Sequence, residues 1–281
     1  MIAPPADAFA LTIAALQCMN LLAFANEKKS PTPYSKFAHD DAKAKIPSRW
    51  GMLLIYGPAF AAALYCAATA PQLNGRELLV ASLLALHFGK RVAEVLGLHK
   101  YSGSVQAAAS GFIGFFYALV VLLICSQQHK VPASLYAQRP SSTSLALGLC
   151  LFALGEAGNL YHHALLARLR NPREQVHTAA AVSATPSTAD ALAAPPAAPP
   201  ARQYTLPRGG MFELVTMPHY FFELVVWLGI ALVAQQANAL LVFAGMVSYL
   251  SGRAVATTQW YMGKFGKSWP ASRRHIVPFL F

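Results

Sequence analysis

The sequence predicts an all-α, multi-pass membrane protein of about seven transmembrane helices. Two features of the 281-residue chain carry that expectation: 56% of its residues are hydrophobic against 12% charged, and the apolar residues fall in long runs almost free of charge. Soluble domains average about 25% charged residues, and a helix needs about 20 mostly apolar residues to cross the hydrocarbon core. A third feature is the placement of the basic residues, which gather at alternate ends of the runs.

Taken in order, the first run is Ala8 to Asn26, between Asp7 and Glu27, and the second is Trp50 to Gly75, between Arg49 and Arg76. Leu78 to Leu98 is apolar except for Lys90, Arg91 and Glu94. Gly103 to Gln128 and Ser144 to Leu166 are further spans, the latter holding Glu156. No charge lies between Glu223 and Arg253, but Gln235, Gln236 and Asn238 interrupt that stretch, which predicts two helices joined there. No Lys or Arg precedes the first run, so it lacks the basic start of a cleavable signal peptide and is expected to be retained.

With Met1 on the lumenal side, six Lys and Arg fall in residues 26–50, three near Lys90 to Lys100, five in 168–218 and five from Arg253 onward. Arg76, Lys130 and Arg139 lie opposite. Cytoplasmic loops favour Lys and Arg, which predicts a cytosolic C-terminus. The formal net charge of +11 then reflects topology and attraction to anionic lipid and phosphorylated cofactors, and no nucleic-acid motif accompanies it. Cys18, Cys66, Cys125 and Cys150 lie in apolar spans without C-x-x-C spacing and are expected to be buried thiols rather than metal ligands. Residues 171–203 are rich in Ala, Pro, Ser and Thr and predict a flexible cytosolic insert within a single membrane-embedded domain spanning 1–281.

A charge at the centre of a membrane helix costs roughly 2.5–3.5 kcal/mol on insertion scales, so each needs a partner, a cavity or a task. Lys90, Arg91 and Glu94 stand at helical spacing for pairing, and two cations against one carboxylate would leave Arg91 for a cofactor phosphate. Asn159, His162, His163, Arg168 and Arg170 close the fifth span; such a cluster also serves as an interface anchor. The adjacent histidines face different sides of a helix and make a poor metal pair. Glu223 reads as an unpaired carboxylate inside an apolar run.

Toward the C-terminus, Tyr204-Thr-Leu-Pro-Arg-Gly-Gly-Met-Phe212 precedes Thr216-Met-Pro-His-Tyr-Phe-Phe-Glu-Leu-Val-Val-Trp227. Arg253, Trp260, Tyr261, Pro270 and the terminal Ile276-Val-Pro-Phe-Leu-Phe281 follow. In order and spacing this region, 204–281, resembles the C-terminal domain of the steroid 5α-reductase family. The block His87-Phe-Gly-Lys-Arg-Val-Ala-Glu-Val-Leu-Gly-Leu-His-Lys-Tyr-Ser-Gly103 is similar to one shared with the trans-2-enoyl-CoA reductases. The resemblance implies a seven-helix enzyme of the endoplasmic reticulum that holds NADPH in a cytosol-facing cavity and takes a lipid from the bilayer. It carries cofactor contacts onto Arg91, Asn159, Arg170, Tyr204, Glu223, Arg253 and Tyr261, and onto His99, His163 and His219, which stand where the steroid enzymes have Asn, Asp and Asn. Thr257 replaces a family His.

Reduction of a double bond conjugated to a carbonyl needs a hydride at the β-carbon and a donor for the carbonyl oxygen. At the positions of the family's Glu and Tyr acid pair this chain has Tyr56 and Phe88. Tyr56 is expected to donate to the carbonyl, or else to be a structural Tyr beside a Gly-Pro kink, and Phe88 with Trp227 to pack the lipid. Very-long-chain trans-2-enoyl-CoA reduction is a second reading. A membrane S-adenosylmethionine-dependent methyltransferase, prompted by Pro218-His-Tyr220, and a non-catalytic membrane protein are readings of other classes.

Overall fold

A computed structural model describes residues 1–3, 7–33, 37, 44–70, 75–101, 103–138, 142–170 and 204–281. The expected insert at 171–203 lies outside the described residues. Within them the chain is helical: α1 (Ala8–Asn20), α2 (Ala23–Lys29), α3 (Ser48–Thr69), α4 (Gly75–Ala93), α5 (Ala107–His129), α6 (Ala133–Gln138), α7 (Ser142–Arg168), α8 (Pro218–Ala234) and α9 (Ala237–Phe265). Two three-residue strands, β1 (Lys45–Pro47) and β2 (Ser104–Gln106), pair antiparallel with Ile46 opposite Val105. The chain is an all-α membrane protein. Helices α3, α5, α7 and α9 with its extension to Ser268 are long and apolar enough to cross a bilayer; α8 is apolar but has 17 residues.

The expected first span is not one helix. It breaks at Leu21 and Leu22, whose amides donate to Cys18 and Met19 three residues back at 3.1 and 3.0 Å. The cause lies in α9: Ser248 Oγ donates to Leu21 O at 2.7 Å and accepts from Phe24 N at 2.9 Å. A hydroxyl inserted into the i→i−4 ladder is an established cause of a kink. The predicted division near Gln235 is present. Gln235 takes a left-handed conformation (φ 55°), and Ile2 clamps the joint by donating to Gln235 O at 2.6 Å and accepting from Ala237 N at 3.0 Å.

Helix α4 ends in a π turn, Glu94–Leu98, closed by the His99 amide on Glu94 O at 2.8 Å. Such wider turns concentrate at functional sites. Between them, α4, α5, α8 and α9 enclose an apolar core in which Leu84, Phe88, Ile124, Trp227 and Ile230 are almost wholly buried. Cys66 and Cys125 are buried as expected; Cys18 and Cys150 are exposed, because they sit on outer helix faces that in an apolar span meet lipid.

Helices α7 and α8 approach along small residues. A Cβ at Gly148 would lie 2.9 Å from Gly229 O, and one at Gly155 would lie 2.7 Å from Val226 N. Backbones pack this closely in membranes only where side chains are small. Replacing Gly155 with Leu should therefore lower the thermal midpoint in detergent markedly, by about 3 kcal/mol or more of stability, while Gly57→Ala on the open face of α3, where a Cβ meets nothing within 4 Å, should leave it unchanged.

Candidate active site

Helical spacing builds the site from three stripes. On α4, His87, Lys90, Arg91 and Glu94 recur at i, i+3, i+4 and i+7; on α7, Glu156, Asn159 and His163 recur at i, i+3 and i+7; on α8, His219 and Glu223 stand four apart. Residues so spaced share a helix face. The three faces meet at one end of the bundle.

His87 lies between two carboxylates, with Nδ1 2.7 Å from Glu156 Oε1 and Nε2 3.1 Å from Glu223 Oε1. Lys90 Nζ is 2.6 Å from Glu156 Oε2 and donates to Asn159 Oδ1 at 2.6 Å. Asn159 Nδ2 donates to Glu223 Oε2 at 3.1 Å and to His219 O at 2.9 Å. Arg91 pairs with Glu94, lies 2.7 Å from His163 Nδ1 and donates to the Tyr56 hydroxyl at 2.8 Å. His87 can donate from both nitrogens only as imidazolium, and three cations then face Glu94, Glu156 and Glu223. Glu223 is thus not unpaired; its partners come from α4 and α7, which its own flanking sequence cannot reveal.

Beside this network the surface turns apolar. Phe88 and Trp227 are each 1% exposed, with ring centroids 6.3 Å apart, and the His87 ring meets both edge-on at 4.9 and 5.7 Å. Tyr56 stacks on Tyr117 at 6.2 Å, so its phenol sits where the polar and apolar sectors join.

The remaining candidates each have partners of their own. Arg170 donates to Lys100 O at 2.8 Å, Tyr204 meets Trp260 at 4.7 Å, and Tyr261 stacks on Trp269 at 5.6 Å. Arg253 pairs with Glu27 of α2 at 3.0 Å and donates to Thr32 O at 3.2 Å. His99 stands 3.9 Å from Glu94. Glu94, His99 and His163 have ligand atoms within 4.8 Å of one another, but the Arg91 guanidinium on Glu94 and His163 already takes the place of a cation there.

His162 has a role the sequence left unseen. It lies 2.7 Å from Gly158 O through Nδ1 and accepts from Met211 N through Nε2 at 3.1 Å, fixing the Gly-Gly segment on α7. Gly209 and Gly210 hold φ of 87° and 53°, and a Cβ on Gly210 would stand 2.8 Å from the Tyr161 ring and 2.9 Å from His162 Nε2. Only glycine serves there. The intramembrane Glu156, three residues before Asn159, was the available signal for the α7 stripe.

Residues 197–281 match the sequence profile of the 3-oxo-5-alpha-steroid 4-dehydrogenase family. In sequence the chain is similar to the steroid 5α-reductases. Human 3-oxo-5-alpha-steroid 4-dehydrogenase 1 is 24% identical over 274 residues, 96% of this chain and 94% of that protein. Steroid 5-alpha-reductase DET2 of Solanum lycopersicum is 40% identical over 78 residues, covering 28% of this chain and only 30% of that protein. Polyprenal reductase 1 of Arabidopsis thaliana is 25% identical over 236 residues, 74% of this chain and 66% of that protein. Two of these relatives are reductases by name and the third is a 3-oxo-5-alpha-steroid 4-dehydrogenase, and the profile match takes in Gly210, Glu223 and Arg253.

Outside the spans, burial and then the Arg91 cation push His99 down to about 4. Its folded value lies below the ordinary His value, so the unfolded chain binds more protons between the two. Stability from this group is complete above about pH 7 and falls as pH drops toward 4, by on the order of 2 kcal/mol at pH 5. Thermal midpoints at pH 7 and 5 should fall further apart in the wild type than in His99→Gln.

Proposed function

We propose that the chain is an NADPH-dependent reductase of the endoplasmic reticulum membrane, with the site open to the cytosol. Its substrate is a lipid with a carbon-carbon double bond conjugated to a carbonyl, a 3-oxo-Δ4-steroid-like compound. The observation that carries this is the convergence of Arg91, Asn159 and Glu223 from three helices beside the apolar Phe88 and Trp227. Polar recognition and lipid accommodation then adjoin.

The donor set fits a pyridine dinucleotide. Guanidiniums at Arg91 and Arg170 match phosphate oxygens, the phenols of Tyr204 and Tyr261 supply hydroxyl donors, and the Asn159 amide with the Glu223 carboxylate offers the donor and acceptor that a carboxamide needs. When bound, NADPH supplies the hydride. Tyr56 Oη accepts from Arg91, so its own proton is available to the substrate carbonyl and stabilises charge developing on that oxygen. Saturation would add that hydride at the β-carbon and one proton at the α-carbon, the proton lent by Tyr56 to the oxygen returning to the phenol as the enol becomes the ketone and the α-proton coming from water. Phe88 and Trp227 exclude water and hold the lipid against the network.

The polyprenal reductase relative, aligned over 74% of this chain, makes a polyprenal the second substrate to test. Purified full-length protein, given NADPH with an enone steroid, a trans-2-enoyl-CoA or a polyprenal, should oxidise the nucleotide and add two hydrogens to one acceptor, as read by mass spectrometry. Absence of turnover on all three, with tight S-adenosylmethionine binding instead, would sink the proposal. On the accepted substrate, Tyr56→Phe should lower kcat by about 100-fold or more and leave NADPH affinity unchanged; full activity removes Tyr56 from the chemistry.

A further inference from the structure

Away from the α4–α7–α8 network, the end of α9 and the returning tail enclose a cleft of about 550 Å³. Its size is that of an ordinary small-ligand site. Its floor is built: His275 Nδ1 lies 2.9 Å from Thr258 Oγ1, which in turn lies 2.9 Å from Thr216 Oγ1. One wall is Trp269, which stacks on Tyr261 at 5.6 Å with 13° between the planes.

Arg273 lines this cleft at 5% exposure. Its Nη1 donates to Pro207 O at 3.1 Å, and Nη2 stands 3.7 Å from Glu213 Oε2. Nε and Nη2 make no hydrogen bond among the described residues. A buried guanidinium with unused donors normally has a partner still to come. Burial, and then the positive charge of Arg274, exposed on the rim, and of Lys28 in α2, hold His275 below its ordinary value.

The rest of the lining is apolar. Met262 is 51% exposed and Leu280 82%, and Phe281 packs on the His275 ring at 5.1 Å. A free anion would satisfy the guanidinium and leave this surface bare, and a neutral lipid would do the reverse.

We propose that this cleft binds one anionic phospholipid, its phosphate held by Arg273, Arg274 and His275 and its acyl chain laid against Met262, Leu280 and Phe281. Such a site belongs at a membrane interface, where basic side chains meet the charged leaflet and apolar ones dip below the headgroups. Because Trp269 separates the cleft from Tyr261, an occupied cleft also steadies the Tyr204 and Tyr261 side of the proposed nucleotide site.

Native mass spectrometry of the full-length protein in detergent, titrated with short-chain phosphatidylserine and separately with short-chain phosphatidylcholine, tests this. Expected is one retained phosphatidylserine with about tenfold preference over phosphatidylcholine. Arg274→Gln, which removes rim charge, and Leu280→Trp, which fills the cleft from an exposed position, should each weaken retention about tenfold without changing helicity. Equal retention of the two lipids, or retention indifferent to both variants, overturns the proposal. So does competition by inorganic phosphate at the lipid's own concentration, or one-for-one displacement by NADPH, which would assign the cleft to a free phosphate or to the nucleotide.

Discussion

The structure depends on mutual neutralisation of charges carried into the bundle by α4, α7 and α8. Lys90, Arg91, Glu94, Glu156 and Glu223 would each be costly in an apolar span, and each stands within 3.1 Å of an oppositely charged, histidine or amide partner. Removing one member of a buried pair typically costs 3–5 kcal/mol, because the survivor is left uncompensated. The glycine seam serves the same end. Gly155 and Gly158 immediately precede Glu156 and Asn159, and a Cβ at Gly158 would stand 2.2 Å from the Phe222 ring. Bare glycine lets α8 come near enough for Asn159 to reach both His219 O and Glu223.

Much of the architecture was legible because the bilayer imposes length and apolarity on every crossing. The runs read from Trp50, Gly103 and Ser144 begin within about four residues of α3, α5 and α7, and the polar point at Gln235 marks a real helix break. What was not legible depends on contacts remote in sequence. The α1–α2 break is made by Ser248, 227 residues beyond Leu21, and Arg253 finds Glu27 across 226 residues. Local composition contains neither pairing.

The same division holds within the site. Arg91, Asn159 and Glu223 were singled out by residue type and resemblance, and they do share one network. That His87 should join two carboxylates, or that His162 should pin the Gly209–Gly210 turn, follows from helix packing alone. Tyr56, expected from the resemblance to stand at one of the family's acid positions, has a direct link to the cationic cluster through Arg91. Arg253 pairs with Glu27 of α2, and Tyr261 stacks on Trp269 of the tail.

The α8 contribution has a consequence for biogenesis. Ribosomes deliver α4 and α7 long before α8, with residues 171–203 intervening, so Lys90 and Glu156 can meet early while His87 waits for its second carboxylate. Until Glu223 docks, the nascent chain holds a half-closed polar seam within lipid. Docking of the last helices is therefore the step that completes charge pairing inside the bundle.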